Sequence, residues 1–348
     1  MPPSSTPTSS GPGAPSTGTI PAEAAGVADR FVIASDALRL PAIARLVGGP
    51  GTGGGAHARR FVEYATRQQI DIRRLWTELD RDGRPIRSVL IVPNPGRTAV
   101  LFAGPAGAPS AAADLGRLID HACRHEDAAR IHLAQALVEP EDATLGAAFL
   151  AGGFGRLAEL AYLERPVPPR PLPPPDWPAD VRVVPWTDDR REDVVRVLVS
   201  SYEDTLDCPG LRGLRDPDDI LEGHVRAGVF EPGLWRILEI EGAAAGVAML
   251  NASPGSASIE LVYLGLAAAA RGRGLGRRLL VEALNGIAGR PEHTVTLAVD
   301  LRNEPALGLY RSLGFHQRMR RIAYVRSLRP AAGESAASDA SPVAAPHA

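Results

Sequence analysis

Residues 258–289, SIELVYLGLAAAARGRGLGRRLLVEALNGIAG, decide how the rest of the chain is read. The apolar run at 259–266 has the composition of a β-strand. A short alanine segment leads into Arg271-Gly272-Arg273-Gly274-Leu275-Gly276. Beyond it Leu275, Leu279, Leu280, Ala283, Leu284 and Ile287 recur on one helical face. Strand, glycine-rich turn and helix together present free backbone N–H groups and a helix N-terminus to a phosphate. The turn alone does not say which phosphate.

Composition bounds the answer. The 348 residues leave room for two domains of ordinary size, and a hydrophobic content of 45% supports real cores. A formal net charge of −2 makes no electrostatic case for nucleic acid or an anionic membrane surface. Cys123 and Cys208 form no disulfide framework, so a reducing cytoplasm is the simplest compartment. The first twenty residues carry neither a basic nor an apolar leader region. No apolar run approaches the roughly 18–20 residues that cross a bilayer.

Working outward, the ends at 1–26 and 330–348 are rich in small and polar residues and are expected to be disordered tails. Residues 166–178, PVPPRPLPPPDWP, hold eight prolines in thirteen positions. Fixed φ and missing N–H groups exclude that stretch from a helix or central strand, so it reads as a stiff extended linker. It divides the chain into domains at 27–165 and 179–329. The second half reads β-α-α-β-β-β-α-β-α-β. The first gives a similar order more faintly, with helices at about 36–47, 55–68, 111–124 and 142–151. Its strands are expected at about 73–80, 86–92, 98–103 and 130–136, with a β segment from 155. Leu145-Gly146-Ala147-Ala148-Phe149-Leu150-Ala151-Gly152-Gly153-Phe154 parallels Ala306-Leu307-Gly308-Leu309-Tyr310-Arg311-Ser312-Leu313-Gly314-Phe315, which implies a diverged duplication. The fold class is therefore mixed α/β (α+β).

A dinucleotide fingerprint needs G-x-G-x-x-G after a first strand, and a Walker loop needs Gly-Lys-Ser/Thr; neither is present. The spacing that is present, Arg271-x-x-Gly274-x-Gly276, resembles the R/Q-x-x-G-x-G/A acyl-CoA motif of the GCN5-related N-acetyltransferases (GNATs). Asn303, Ala306, Leu309, Tyr310, Gly314 and Phe315 match that family's later signature. The resemblance covers about 179–329, and the tandem layout resembles the family's double-domain members. It implies tandem GNAT folds, each a mixed, mostly antiparallel sheet flanked by helices, with acetyl-CoA as cosubstrate and no metal. It also implies direct acetyl transfer to a small-molecule or peptide amine, by a monomer or homodimer.

The resemblance assigns roles residue by residue. Backbone N–H groups over 271–276, among them Gly272, Gly274, Leu275 and Gly276, would hold the CoA pyrophosphate, with Arg271 and Arg273 adding charge. Leu266 and Leu264 would offer backbone to the pantetheine, and Gly265 marks a bulge or splay. Asn303 would contact CoA or cap a helix. Glu260 takes the base position, Glu239 on a neighbouring strand competes with it, and Tyr310 takes the thiolate-protonating position. Tyr202, Asp204 and Asp207, in an acidic loop, are candidate acceptor contacts.

Bland readings stand beside these. Glu260 could be a solvent-facing strand residue or part of a structural ion pair, and Tyr310 could be core packing. The loop acids could be merely solvated, and Cys208, with no paired histidine, reads as packing. His121 and His125, four apart on a helix with His132 nearby, could suggest metal ligands but fit a surface pair better. The first half departs from the family pattern: Phe149 stands at the Tyr310 position, Asp142 at that of Asn303, and its 104–110 turn has neither arginine nor G-x-G. It is expected to be non-catalytic. The rival to an enzyme is a non-catalytic acyl-CoA-binding or regulatory module, and a pure interaction scaffold is a third reading.

Overall fold

The computed structural model describes residues 30–48, 54–106 and 109–329; the expected tails lie outside the described residues. The first half runs β1 (Phe31–Ile33), α1 (Asp36–Val47), α2 (Gly54–Arg67), β2 (Leu75–Leu79), β3 (Pro85–Asn94), β4 (Thr98–Ala103), α3 (Ala112–Arg124), β5 (Leu133–Val138), α4 (Ala143–Ala151) and β6 (Gly155–Pro166). The second runs β7 (Val181–Pro185), α5 (Arg191–Ser201), α6 (Pro217–Val225), β8 (Arg236–Ile240), β9 (Ala243–Ser253), β10 (Ser258–Leu266), α7 (Leu275–Asn285), β11 (Thr294–Asp300), α8 (Glu304–Ser312) and β12 (His316–Ser327). Sequence periodicity finds all of these except β1. Three residues are too few for an alternating pattern, and β1 exists because it pairs antiparallel with β2.

All twelve strands form one sheet, ordered β1-β2-β3-β4-β5-β12-β6-β11-β10-β9-β8-β7. The order contains an exchange. β12, the last strand of the second half, lies between β5 and β6, while β6, the last of the first half, lies between β12 and β11. The proline stretch thus divides the sequence, while the sheet runs across it.

Strand alternation gives each half two cores. On β9, Ala248 and Leu250 join the cluster under α7 and α8, whereas Val247 and Met249 join the cluster under α5 and α6. Leu275, Leu279, Leu280 and Leu284, the stripe visible in the sequence, are fully buried against the first of these faces. Truncating one of them to alanine is worth about 2–5 kcal/mol by the usual cost of a core cavity.

Residues 167–178 form neither helix nor strand, but the stretch is docked rather than free. Leu172 N–H donates to Asn285 Oδ1 at 2.7 Å, Asn285 Nδ2 donates back to the Leu172 carbonyl at 3.2 Å, and Gly289 N–H donates to the Pro168 carbonyl at 2.8 Å. These bonds strap the prolines along the C-terminal end of α7.

The duplicated landmark repeats in detail. Asp142 caps α4 by accepting from Leu145 N–H at 2.9 Å, and Asn303 caps α8 by accepting from Ala306 N–H at 3.3 Å. Gly153 and Gly314 adopt φ of 80° and 82°, and the following phenylalanines donate to Phe149 and Tyr310 carbonyls at 3.0 and 3.1 Å.

Candidate active site

β10 and β11 are parallel and pair only over Ser258–Thr294, Ile259–Val295 and Glu260–Thr296. Past that point β10 stays with β9 and β11 stays with β6, so the two strands diverge and leave a wedge. The irregularity that accompanies the divergence lies between Leu261 and Tyr263, not at Gly265. Gly265 is small for another reason: a Cβ there would sit 2.5 Å from the Tyr263 ring. Ala267 N–H donates to Ala245 on β9 at 2.9 Å. Alternation then turns the backbone groups of Leu264 and Leu266 to the opposite edge, toward the wedge.

The glycine turn closes the near end of the wedge. Gly272 and Gly274 adopt φ of 75° and 70°, where a side chain would be strained, and Gly274 is the N-cap of α7 with no side chain satisfying the first N–H groups. That uncapped helix N-terminus is an anion-binding geometry. The arginines are placed differently from the expectation. Arg271 turns away from the turn and donates to the carbonyls of Ser201 and Glu203, both at 2.7 Å, and of Leu266 at 3.3 Å. Arg273 pairs with Asp180 at 2.8 Å. Arg271 therefore ties the turn to the end of α5, and Arg277, exposed in the first turn of α7, pairs with no described residue.

The loop after α5 stands at the open side of the wedge, against the end of β11. Asp207 turns its carboxylate inward to accept from Asp300 N–H at 2.8 Å, and Cys208 N–H donates to Asp300 Oδ2 at 3.2 Å. Asp300 is fully enclosed and also binds Arg302. The protein around the Asp207 carboxylate raises its pKa, the neighbouring Asp300 charge adds to this, and the backbone hydrogen bond opposes it. Tyr310 of α8 is 7% exposed, and burial raises its phenol, helped by the charges of Asp207 and Tyr263. Tyr310 of α8 thus feels the charges of Asp207 on the loop and Tyr263 on β10. Cys208 has its thiol pushed up to about 12 by burial and by Asp207 and Asp300, which makes it a poor nucleophile.

Glu260 sits where the strands part, partly buried and with no hydrogen-bonding or ionic partner among the described residues. Burial raises its carboxyl above the usual carboxylate range. Glu239 has the opposite character: it is fully enclosed, bound by Arg182 and Arg190 on the outer side of the sheet, and its pKa is lowered as those bonds outweigh burial. Its proton-accepting capacity is already used. Of the loop candidates, Tyr202 is half-buried and close enough to Asp207 to feel its charge, while Asp204 is exposed and lends only its carbonyl, to Arg271.

The first half repeats the wedge without its chemistry. β4 and β5 pair only over 98–100 and 133–135, and beyond them lies a cavity of about 150 Å³ lined by Leu46, Phe61, Leu101, Phe102, Leu137 and Phe149. A Cβ at Gly104 would meet the Arg45 carbonyl at 2.3 Å, so the end of α1 already covers the place of a phosphate turn. His121 and His125 stack on each other at 4.0 Å beside Trp76, which makes them an aromatic cluster. His132 instead approaches Asp216 and Asp219, where Arg329 already donates to Asp216 at 2.5 Å.

With this geometry in view, the comparisons are specific. Residues 200–315 match the Acetyltransferase (GNAT) family. That match lies wholly within the second half. A mycothiol acetyltransferase of Thermomonospora curvata is 31% identical over 166 residues, 47% of this chain and 54% of that protein. Another, from a Nocardioides species, is 41% identical over 70 residues, 20% of this chain and 24% of that protein. The chain thus spans from a quarter to about half the length of these curated relatives. A GCN5-related N-acetyltransferase structure from Sphaerobacter thermophilus covers 87% of this chain and 97% of its own, with a TM-score of 0.58 and 17% identity. That likeness extends the fold across both halves. Among the described residues, no helix is long and apolar enough to cross a membrane.

Proposed function

We propose that this chain is an acetyl-CoA-dependent N-acetyltransferase, with its second half catalytic and a primary amine as acceptor. The observation that carries the reading is the wedge. An uncapped glycine-turn helix lies at its mouth and open strand backbone along one wall, with Glu260 at its base and Tyr310 at its side. Acyl-CoA would lay its pyrophosphate on the N–H groups of 272–276 and its pantetheine along Leu264 and Leu266. Glu260, raised toward neutrality by burial, takes the proton of the acceptor ammonium. The free amine nitrogen bonds to the thioester carbonyl carbon, the C–S bond breaks, the departing thiolate takes the Tyr310 proton, and the second proton lost by the nitrogen as the amide forms restores the phenol.

The test is release of free CoA from acetyl-CoA across a panel of amino sugars, cysteine-bearing amines and peptide N-termini. Tyr310→Phe should cut turnover by about 10²–10⁴-fold. Tight acetyl-CoA binding with no turnover of any amine would make this chain a binding module instead.

Asp207 leads to a separate expectation. Its carboxylate fills part of the wedge and caps a β11 N–H, so acyl-CoA has to displace it. Asp207→Ala should tighten acetyl-CoA binding several-fold by calorimetry, the worth of one hydrogen bond no longer broken. Weaker binding would make Asp207 a ligand of the cosubstrate.

A further inference from the structure

We infer that Arg271 is a positioning residue, through which acyl-CoA held on the glycine turn orders the start of the acceptor loop. This rests on the reading of the wedge as an acyl-CoA site.

The end of α5 explains why an arginine is needed. The carbonyls of Leu198, Val199, Ser200 and Ser201 close the helix and lack the usual partners one turn on. The Ser201 hydroxyl donates to Leu198 at 2.8 Å, and the Tyr202 and Glu203 N–H groups donate to Val199 and Ser200 at 3.2 Å each. That leaves the Ser201 carbonyl to a distant group, and Arg271 Nη2 donates to it at 2.7 Å. Arg271 Nη1 donates to the next carbonyls, Glu203 at 2.7 Å and Asp204 at 3.4 Å. A cation suits the negative end of the helix dipole, and the planar fork of a guanidinium reaches several carbonyls where an ammonium reaches fewer.

The rest of the same residue belongs to the wedge. Arg271 Nε donates to the Leu266 carbonyl at 3.3 Å, at the end of the strand wall. Its backbone opens the turn, and Gly272, Arg273 and Gly274, which follow, are exposed. An anion bound on that turn fixes the backbone that carries Arg271, so its grip on α5 then costs less ordering entropy. The loop has use for such a grip. Asp204 and Cys208 adopt φ of 49° and 48°, a region uncommon for residues other than glycine. Tyr202 and Asp204, the candidate acceptor contacts, flank the Glu203 carbonyl that Arg271 holds. The cosubstrate thereby sets the part of the site that receives the amine.

Tyr263 makes a separate tie to the same helix end. The Ser201 proton goes to Leu198, so the Tyr263 O–H donates to Ser201 Oγ, at 2.6 Å. That bond reaches β10 and not the turn, which makes it a control.

Hydrogen exchange of the Tyr202 and Glu203 amides in the full-length protein, with and without acetyl-CoA, tests the coupling without any acceptor amine. In the wild type acetyl-CoA should slow both by at least about fivefold, the lower end of ordinary coupling between sites. Arg271→Lys keeps the charge but not the fork. It should bind acetyl-CoA within about threefold of the wild type by calorimetry, while its loop exchange no longer responds. Direct shielding by the ligand would persist in that variant. Tyr263→Phe should speed exchange in both states and keep the response. A merely structural arginine predicts faster exchange in Arg271→Lys with the response intact, and that result overturns the inference. So does a loss of acetyl-CoA affinity of about tenfold or more in Arg271→Lys, which would make Arg271 a ligand of the phosphates. Wild-type protein that binds no acetyl-CoA sinks the reading of the wedge, whereas binding that leaves exchange unchanged sinks this inference alone.

Discussion

Replacing Glu260 with glutamine is expected to lower turnover of the best amine by about 10²–10⁴-fold while leaving acetyl-CoA affinity within about twofold. The glutamine amide fills the same space at the start of the wedge but cannot take a proton. The acyl-CoA contacts lie elsewhere, on the backbone of Leu264, Leu266 and 272–276, so cosubstrate binding should be spared. The pH profile offers a second reading. Below its pKa Glu260 is protonated and cannot act as base, so the rate rises with pH through that value. Since burial raises the pKa, the acidic limb should lie above the roughly 4.3 of an exposed glutamate. Should the limb survive unchanged in Glu260→Gln, another group is the base.

Deleting residues 316–329 should abolish cooperative folding of the whole chain, not only of the second half. β12 pairs with β5 on one side and β6 on the other, and Tyr324 packs into the core beneath α3 and α4 of the first half. Removing it severs the sheet in the middle and opens two edges. Circular dichroism on heating should show no sigmoidal transition for the truncated chain. A retained transition from the first half would mean that β5 tolerates an empty side. Separately produced fragments 27–165 and 179–329 should likewise fail alone and assemble on mixing, each supplying the other's last strand.

The local content of the sequence carried far. Helix stripes, turn glycines and the duplicated landmark are short-range features, and the structure places them within a residue or two of expectation. The site was legible where it depends on local backbone, as in the glycine turn, the cap at Asn303 and the strand bearing Glu260. It was not legible where it depends on pairing between distant segments. Arg271 looks like a phosphate ligand in the motif, but it grips the end of α5, a contact that only tertiary packing creates. Glu239 looks equivalent to Glu260 along the chain and is neutralised by two arginines from other elements. The proline stretch forms neither helix nor strand, and its docking on α7 follows from Asn285, which composition does not reveal.

The exchanged strands also bear on how the protein is made. A nascent chain that has released β5 cannot complete its sheet, because its neighbour β12 is the last of the described strands to be synthesised. Throughout translation of the second half, β5 and β6 wait with an edge unfilled. Such an edge is an invitation to pair with other chains. The yield of folded protein should therefore depend on how well that edge is kept from other chains until β12 emerges.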